Sequence, residues 1–514
     1  MALPFLIFKG ILKERLILYN EYMNNNYYIF TIGCQMNVSD SERIASVLED
    51  LGYKKTEKES EADLIMTVAC SVRQSAIDRI YGQAKKWTEL KKKNPQLLIA
   101  LTGCLLLADK EKFRYFGICK IPKSRRSANR GCANLLLPDV TQKLGQAEKP
   151  LIDFIFDIKD LPKLPKLLAQ SPELRAQSLN YLEIKPSYNS SISAYLPIST
   201  GCDNFCSYCV VPYTRGREVS KSSEEIISEV KELVEKGYKE ITLLGQNVNS
   251  YNTKLKMKNV KCKMTQPPKV LYGGQANQNS KSIKFTDLLK KINEIPGKFW
   301  IRFLTSHPKD MSDELIKAIS ECEKVTEYIH LPVQAGDNEI LRQMNRGYAV
   351  EDYLNLCSEL RAQCPGLSLS TDIIVGFPGE SKKQFEKTKK LMEKVKFDMA
   401  YIVRYSPRLG TTAYKLKDDV PKEEKKRRER ILNEILKKTA LENNKRYLGK
   451  TVEVLVSNAQ SSELRAQSRL SGRTRTFKPV QFIGPKSLVG QFRKVKITAC
   501  NPWGLKGKLL KNKT

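Results

Sequence analysis

Three cysteines on one short segment carry the strongest chemical signal in this sequence. The segment GCDNFCSYC gives Cys202, Cys206 and Cys209 a CxxxCxxC spacing. Three thiolates on one loop can hold three corners of a cubane 4Fe–4S cluster, whereas a plain electron carrier normally ligates all four irons with cysteine. One iron would then stay open for another ligand. Accidental spacing and structural zinc are the alternatives, although tetrahedral zinc usually takes a fourth protein ligand and no histidine lies near.

Three further cysteines each follow a run of β-forming residues. Cys34 follows YYIFTIG, Cys70 follows ADLIMTVA and Cys104 follows LLIALTG. Parallel strands share one carboxyl edge, where open α/β sheets place their ligands, so these thiols are expected to converge. Taken singly, each could equally be a buried packing cysteine. As a matched trio they predict a second metal site.

The remaining cysteines and the histidines have no comparable pattern. Because the chain has only two histidines, His307 and His330, a multi-histidine metal site is excluded. Both fall at predicted strand ends, where packing or hydrogen bonding is favoured over catalysis. The seven other cysteines are predicted to be packing or surface residues: Cys119, Cys132, Cys262, Cys322, Cys357, Cys364 and Cys500.

The elements that position Cys34, Cys70 and Cys104 follow a βαβαβ pattern. Residues 39–51 have helical spacing, with Ser39 or Asp40 as the N-cap. This pattern predicts a parallel sheet with right-handed crossovers. The apolar β-forming runs are residues 27–32, 63–68 and 97–102.

A longer βα alternation surrounds the CxxxCxxC segment and predicts an open or partial (β/α)6 barrel, with chemistry at the carboxyl ends of its strands. Residues 421–446 are predicted to form a charged helix, and residues 447–511 a small all-β barrel. The apolar runs are residues 195–199, 240–244, 300–304, 327–331, 369–375 and 399–403, and the clearest helical stretches are 223–236, 312–320 and 382–395.

We therefore expect an α/β protein with three domains. Residues 117–147 and 251–282 are predicted to be polar insertions, and the near-repeat AQSxELRAQS at 169–178 and 459–468 a mobile coding element tolerated in two loops. The predicted boundaries are 1–25 for an extension that precedes a possible start at Met23, 26–185 for the parallel α/β domain, 190–430 for the barrel and 445–511 for the β domain.

Composition limits the class of protein. The 514 residues are 41% hydrophobic, which excludes wholesale disorder, and no apolar run is long enough to span a bilayer. The first residues lack a secretory cleavage site, so we expect a cytoplasmic protein without a membrane partner. The formal net charge of +32 favours a polyanionic partner, most often nucleic acid, over a merely basic surface.

The cysteine segment, with Tyr208 before its last cysteine at the first barrel strand, resembles the radical S-adenosylmethionine enzymes. The resemblance implies that the open iron chelates S-adenosylmethionine and that electron transfer into the sulfonium yields a 5′-deoxyadenosyl radical. LLGQN lies where the family contacts the methionine moiety, and IIVGFPGE, from Gly376 to Glu380, where it packs the adenine. The cofactor contacts implied are Tyr208, Gly245, Gln246, Asn247, Asp372 and Gly376.

The three earlier cysteines and the β domain resemble the methylthiotransferases. In that family the N-terminal trio holds a second 4Fe–4S cluster, with its own open iron, where sulfur is handled. The fold implied is an N-terminal parallel α/β domain, a central partial (β/α)6 radical-SAM barrel and a small C-terminal TRAM barrel. One S-adenosylmethionine would methylate sulfur at Cys34, Cys70 and Cys104, and a second would be cleaved at the other cluster. No catalytic residue is expected beyond the cluster ligands.

Short motifs narrow the resemblance to the branch that acts on N6-isopentenyladenosine at position 37 of tRNA. Unusual residues are Val68–Ala69 before Cys70, Ala335 in HLPVQAG and Leu409 in SPRLGT. The alternatives are the same chemistry on threonylcarbamoyladenosine or on a ribosomal protein, and a non-catalytic iron–sulfur RNA-binding protein. The supporting motifs are GCQMN at 33–37, CVVPYTRGRE at 209–218, LLGQNVN at 243–249, TSHP at 305–308 and LSGRT at 470–474.

The resemblance to a TRAM domain implies contacts to the tRNA anticodon stem-loop. Basic side chains contact phosphates and an aromatic ring can stack on an unpaired base. Phe477 and Phe482 lie between the basic residues, and core phenylalanines in a solvated basic hairpin are an equal alternative. The sequence names neither the reductant nor the sulfur donor, and a monomer is expected. The tRNA contacts predicted are Arg215, Arg217, Arg473, Arg475 and Lys478.

Overall fold

The computed structural model describes residues 25–70, 74–106, 109–110, 113, 151–169, 180–254, 282–460 and 468–510. Contacts divide the chain into two compact units. The first unit comprises Met1–Asn189, Tyr208–Arg217 and Ser406–Tyr414, and the second comprises Ser190–Ser207, Glu218–Tyr405 and Lys415–Thr514.

Several sequence predictions fall outside the described residues. These are the extension up to residue 24, the insertion at 117–147, most of the insertion at 251–282, nearly all of both copies of AQSxELRAQS, and Cys119, Cys132 and Cys262. The described ends of the second insertion, Asn252–Lys254 and Ser282–Lys284, pair as antiparallel strands, so this insertion leaves and rejoins the fold at one place.

The first unit contains a five-stranded parallel sheet in the order β2-β1-β3-β4-β5. The central strand β3 is buried along its whole length because apolar clusters cover both sheet faces. Its strands are β1 (Asn26–Ile32), β2 (Lys54–Lys55), β3 (Leu64–Cys70), β4 (Leu98–Cys104) and β5 (Phe154–Ile155), and its helices are α1 (Gln35–Asp50), α2 (Gln74–Lys93), α3 (Leu164–Ala169) and α4 (Val211–Thr214).

Helix α1 begins four residues earlier than predicted. The amide oxygen of Asn37 accepts the backbone N–H of Cys34, so Asn37 takes part in capping and the helix starts directly after Cys34. Ser39 and Asp40, the predicted N-caps, lie inside the helix and are fully buried. The prediction was wrong because these two residues use their side chains elsewhere: Ser39 accepts from Arg43 one turn along the helix, and Asp40 accepts from Tyr181 and Arg215.

The second unit contains six parallel strands in chain order, as the partial barrel requires. Three form the sheet β6-β9-β12 and three the sheet β13-β14-β15, with a single parallel bridge, Ile301↔Val325, at the seam. The strands are β6 (Ser193–Pro197), β9 (Glu240–Leu244), β12 (Trp300–Leu304), β13 (Tyr328–His330), β14 (Ser368–Val375) and β15 (Met399–Arg404), and the short pairs are β7 (Ser199–Thr200) with β8 (Val219–Ser220) and β10 (Asn252–Lys254) with β11 (Ser282–Lys284).

Helices lie between these strands, and a long helix leads to the C-terminal barrel. The last five strands close in the order β16-β17-β18-β20-β19 around an apolar core that includes Phe482. The helices are α5 (Ser223–Glu235), α6 (Phe285–Asn293), α7 (Asp313–Glu321), α8 (Asn338–Gln343), α9 (Val350–Gln363), α10 (Lys382–Val395) and α11 (Lys422–Lys445), and the strands are β16 (Thr451–Gln460), β17 (Ser468–Thr474), β18 (Pro479–Gly484), β19 (Phe492–Asn501) and β20 (Gly504–Leu509). Across the described ranges, no helix is long and apolar enough to cross a membrane.

Candidate metal centres and cofactor site

The strand register brings two of the N-terminal cysteines side by side. Cys70 and Cys104 are direct partners at the carboxyl ends of β3 and β4. Cys34 lies two residues beyond β1, which pairs with β3 up to Ile32↔Ala69, and it is exposed, whereas Cys70 and Cys104 are buried. The three thiols therefore lie at the carboxyl edge of adjacent strands, although in the described residues no three His, Cys, Asp or Glu side chains form a ready-made metal cage.

A glycine makes the close approach of these strands possible. Gly103 has φ +113°, and a Cβ there would lie 2.2 Å from the backbone oxygen of Ala69. Any other residue would force β4 away from β3 immediately before Cys104. The glycine before the cysteine is thus a geometric requirement of the pair.

A buried arginine contacts this cysteine pair. Arg215 Nε donates to Cys104 Sγ at 2.9 Å, and the other guanidinium nitrogens donate to both oxygens of Asp40, which also accepts from Tyr181 Oη. A hydrogen bond from the Cys70 thiol lowers the pKa of Cys104, and the charge of Arg215 acts in the same direction against burial. A buried cation beside sulfur favours the thiolate, so this donor set fits the anionic ligands of an iron–sulfur cluster.

The loop carrying Cys202 and Cys206 is held by the segment after α8. The backbone N–H of Ser207 donates to Met344 O at 3.0 Å, and the side chain of Asn345 donates to the carbonyl oxygens of Asn204 and Phe205. Cys202 and Cys206 are buried. These contacts hold the backbone of the loop in place.

A second buried arginine reaches this loop. Arg346 Nη1 donates to Cys206 Sγ at 3.4 Å, Nη2 to Pro332 O at 2.7 Å and Nε to Tyr348 Oη at 2.9 Å. Cys209 is half-buried and immediately precedes the segment that forms α4.

The turn after β9 contains the predicted methionine-contact residues. A Cβ on Gly245 would lie 2.7 Å from Ser199 Oγ, so the chain passes close to β7. Asn247 is buried, with Nδ2 donating to Asp310 at 2.6 Å and Oδ1 accepting from the His307 backbone at 3.1 Å. Its side chain therefore holds two loops together. Gln246 Oε1 is buried and, among the described residues, has no hydrogen-bond partner.

The predicted adenine-contact turn follows β14. Gly376 has φ +69°, and its backbone N–H donates to Glu380 Oε2 at 2.6 Å. Glu380 forms a buried ion pair with Arg428 of α11 at 2.6 Å. Asp372 faces His330, with Nε2 and Oδ2 3.4 Å apart, and Tyr208 is half-buried.

The two histidines make hydrogen bonds within the second unit. His307 Nδ1 accepts the Lys309 backbone N–H at 3.3 Å, so Nε2 carries the proton of the neutral ring. Burial, followed by the charges of Arg346 and Lys309, lowers the pKa of His307 to about 2. His330 Nδ1 lies 2.9 Å from Ser370 Oγ.

Comparisons with known proteins agree with this architecture. Residues 196–392 match the Radical SAM superfamily, residues 26–117 the uncharacterized protein family UPF0004 and residues 445–510 the TRAM domain. The tRNA-2-methylthio-N(6)-dimethylallyladenosine synthase of Thermoanaerobacter pseudethanolicus (strain ATCC 33223 / 39E) is 41% identical, covering 98% of this chain and 96% of the relative. The protein of the same name from Clostridium perfringens (strain SM101 / Type A) is 38% identical, covering 94% and 97%.

The chain belongs to the tRNA-2-methylthio-N(6)-dimethylallyladenosine synthase family. Membership confirms the predicted family, the fold class and the enzyme class, a radical S-adenosylmethionine methylthiotransferase. It also implies S-adenosylmethionine and a 4Fe–4S cluster as cofactors. Among solved structures, the radical S-adenosylmethionine methyltransferase TsrM from Kitasatospora setae has a TM-score of 0.45 and 12% identity, covering 76% of this chain and 77% of that chain.

Three of the basic residues predicted to contact tRNA in this synthase-family chain are engaged in internal contacts. Arg215 is buried against Asp40 and Cys104. Arg475 forms an ion pair with Glu327 at 2.7 Å, and buried Lys478 one with Asp398 at 2.7 Å. In this structure their charges are paired with carboxylates, and their contact with tRNA stays a prediction.

Arg217 and Arg473 are exposed, as contact with RNA requires. Phe477 stacks on Tyr328 with ring centroids 4.6 Å apart and lies 4.1 Å beneath the guanidinium of Arg473. Phe482 belongs to the barrel core. Both phenylalanines therefore have packing roles in this structure.

Sequence reasoning missed three buried polar residues at the two cysteine sets, and a fourth that joins the barrel strands to the C-terminal hairpin. Asp40 and Tyr181 hold Arg215, Arg346 reaches Cys206, and Arg302 donates to Glu240 and to the carbonyl oxygens of Thr474 and Arg475. One feature of the sequence could have indicated such a residue, namely a charged side chain within an apolar run, such as Arg302 in WIRFL.

Proposed function

We propose that this enzyme transfers a methylthio group to carbon 2 of N6-isopentenyladenosine at position 37 of tRNA. Two molecules of S-adenosylmethionine and two 4Fe–4S clusters take part, one cluster at Cys34, Cys70 and Cys104 and the other at Cys202, Cys206 and Cys209. The names of relatives about 40% identical over nearly the whole chain support the substrate.

One observation carries the two-cluster proposal. Cys70 and Cys104 are register partners at the carboxyl edge of the N-terminal sheet, with Arg215 donating to Cys104. This edge is far in sequence from the CxxxCxxC segment, and its buried cation, Arg215, lies six residues after Cys209. Burying the charge of Arg215 costs free energy unless it has anionic partners, and a cluster thiolate at Cys104 would be a partner in addition to Asp40.

The reaction needs cofactor chemistry because carbon 2 of adenine bears an unactivated hydrogen. A 4Fe–4S cluster, when bound, supplies the electron that cleaves S-adenosylmethionine to a radical. The side chains of the chain itself bind, orient and exclude water. No general base among them could remove this hydrogen at neutral pH.

The turns after β9 and β14 are proposed to bind S-adenosylmethionine. Asn247 fixes the first turn through Asp310 and the His307 backbone, so Gln246 Oε1 is held in place as an acceptor for a ligand donor. Glu380 and Arg428 fix the second turn, where Gly376 is buried and its backbone N–H donates to Glu380. Tyr208, Gly245 and Asp372 complete the proposed set.

The tRNA is proposed to bind through its anticodon stem-loop, in which an unpaired base can be splayed out toward a pocket. Arg217 and Arg473 are the proposed phosphate contacts because both are exposed. We propose that one chain suffices for activity.

Nucleoside mass spectrometry tests this function. The chain is expressed in cells that lack their own methylthiotransferase, and their tRNA is digested and analysed. The expected result is conversion of N6-isopentenyladenosine to its 2-methylthio form, and loss of that product with Cys70→Ala or Cys206→Ala, because each substitution removes a proposed cluster ligand.

Cys500→Ala is the matched control, since Cys500 is a half-buried cysteine of the C-terminal barrel outside both trios, and this variant keeps the product. A 2-methylthio product formed on threonylcarbamoyladenosine instead would assign the enzyme to the branch of the family that modifies that nucleoside. Activity that survives Cys70→Ala would contradict the proposed cluster at Cys34, Cys70 and Cys104.

A further inference from the structure

Each proposed cluster set has one buried arginine with a nitrogen on a ligand sulfur. In the first unit Arg215 Nε lies 2.9 Å from Cys104 Sγ. In the second unit Arg346 Nη1 lies 3.4 Å from Cys206 Sγ. Both distances are within the range of N–H···S hydrogen bonds. The two cysteine sets thus share one arrangement, an arginine nitrogen on a ligand sulfur.

Neither arginine is free to turn away from its sulfur. The remaining nitrogens of Arg215 are held by both oxygens of Asp40, which lies fully buried inside α1. Those of Arg346 are held by Pro332 O at 2.7 Å and Tyr348 Oη at 2.9 Å. The planar guanidinium has five donors in a fixed fork, so anchoring some of them aims the others.

An N–H aimed at a ligand sulfur stabilises the reduced cluster more than the oxidised one, because reduction places additional negative charge on the sulfurs. Hydrogen bonds to sulfur and nearby charge are established determinants of iron–sulfur potentials. Burial strengthens the effect, since the local dielectric constant is low.

We propose that Arg215 and Arg346 are positioning residues that each raise the reduction potential of the cluster bound at their own cysteine set. This inference rests on the proposed two-cluster function. Arg215 acts through Cys104 and Arg346 acts through Cys206, and each leaves the other cluster unchanged.

The partner of Arg215 sets the sign of the expected effects. Asp40 cancels the charge of Arg215 at long range, so the hydrogen bond to Cys104 is the main contribution that remains. Removing both members, Asp40→Asn with Arg215→Gln, leaves no unpaired buried charge and deletes the hydrogen bond. Asp40→Asn alone exposes the sulfur to an uncompensated cation and moves the potential in the opposite direction.

The experiment is a redox titration of the reconstituted full-length chain with dithionite, followed by electron paramagnetic resonance. Cys70→Ala and Cys206→Ala each remove one signal and so assign the two clusters. The double variant is expected to shift the oxidised-to-reduced ratio of the N-terminal cluster about tenfold at a given potential, a midpoint about 59 mV lower for a one-electron couple. Asp40→Asn raises that midpoint.

Arg346→Gln is expected to lower the midpoint of the other cluster only, so each arginine variant is a control for the other. Arg217→Gln removes a positive charge two residues from Arg215 at an exposed position and moves neither midpoint. If the double variant does not fold, Arg215→Lys keeps the charge opposite Asp40 without the fork, and lowers the N-terminal midpoint by less.

Two failures are distinguishable. Unchanged midpoints in variants that hold about eight iron atoms, the content of two 4Fe–4S clusters, overturn the inference and leave the proposed function standing. An unmodified chain that binds only one cluster overturns the two-cluster proposal, and with it the role of the arginine at the empty set.

Discussion

At the scale of single residues, the sites depend on polar side chains that are buried and fixed in one protonation state. His307 shows this most clearly, because the Lys309 backbone N–H occupies Nδ1 and the ring is enclosed near the cation of Arg346. Its pKa is lowered to about 2, so the ring is neutral in the folded chain near pH 7.

His307 is therefore expected to make stability depend on pH. An unfolded chain protonates histidine near its ordinary pKa of about 6.5, while the folded chain does not, so folding loses stability as the pH falls below that value. The melting temperature of the apoprotein should fall less between pH 7.5 and pH 5.5 in His307→Gln than in the unmodified chain. Equal slopes in His307→Gln and in the unmodified chain would refute the assignment.

The two cysteine trios could be predicted as metal sites because their spacing and their positions at strand ends can be seen in the sequence. The carboxylate partners of the basic residues could not be predicted from the sequence. Arg475 and Lys478 look like exposed phosphate contacts in LSGRTRTFKPVQF, but Glu327 and Asp398, distant in sequence, neutralise them. Tertiary ion pairs of this kind cannot be deduced from local pattern.

At the scale of elements, the parallel strands were predictable because their apolar runs are continuous and end in turn residues. The strands extend through Cys70 and Cys104 rather than ending before them, so both cysteines are ladder residues. This explains why a single glycine at position 103 decides how closely the two thiols approach.

Gly103→Ala is expected to disrupt the N-terminal site. Its Cβ would lie 2.2 Å from Ala69 O, at a φ of +113° that alanine avoids, so the ends of β3 and β4 must separate. Iron content and the electron paramagnetic resonance signal assigned to Cys34, Cys70 and Cys104 should fall, and the other signal should persist.

Gly82→Ala is the matched control for that substitution. Gly82 lies in α2 with nothing within 4 Å of an added Cβ, so alanine should keep both signals and stabilise the helix by about 0.5–1 kcal/mol. Full iron content in Gly103→Ala would show that the strands tolerate the Cβ and that the close approach is not required.

At the scale of the whole molecule, charge is the property most clearly linked to the substrate. The formal net charge of +32 gives a long-range attraction to tRNA that salt screens. Within that field, only basic side chains not already paired with carboxylates can release counterions from RNA when they bind. The ion pairs of the C-terminal barrel therefore decide which of its arginines matter for affinity.

Arg473 and Arg475 provide a direct comparison, two residues apart on one hairpin. Arg473 is exposed over Phe477, whereas Arg475 is paired with Glu327 and donates to Val325 O. Arg473→Gln should weaken tRNA binding and reduce the slope of log affinity against log salt by about 1, because one phosphate contact is lost. Arg475→Gln should leave that slope unchanged and lower the melting temperature, because Glu327 loses its partner.

Fluorescence anisotropy with labelled tRNA over a salt series measures both slopes. A lower slope in Arg475→Gln with an unchanged melting temperature would mean that Arg475 leaves Glu327 to meet phosphate in the complex. Since both variants change the net charge equally, any difference between them reports the local pairing rather than the overall field. The affinity of this chain for tRNA would then follow from which arginines its own carboxylates leave available.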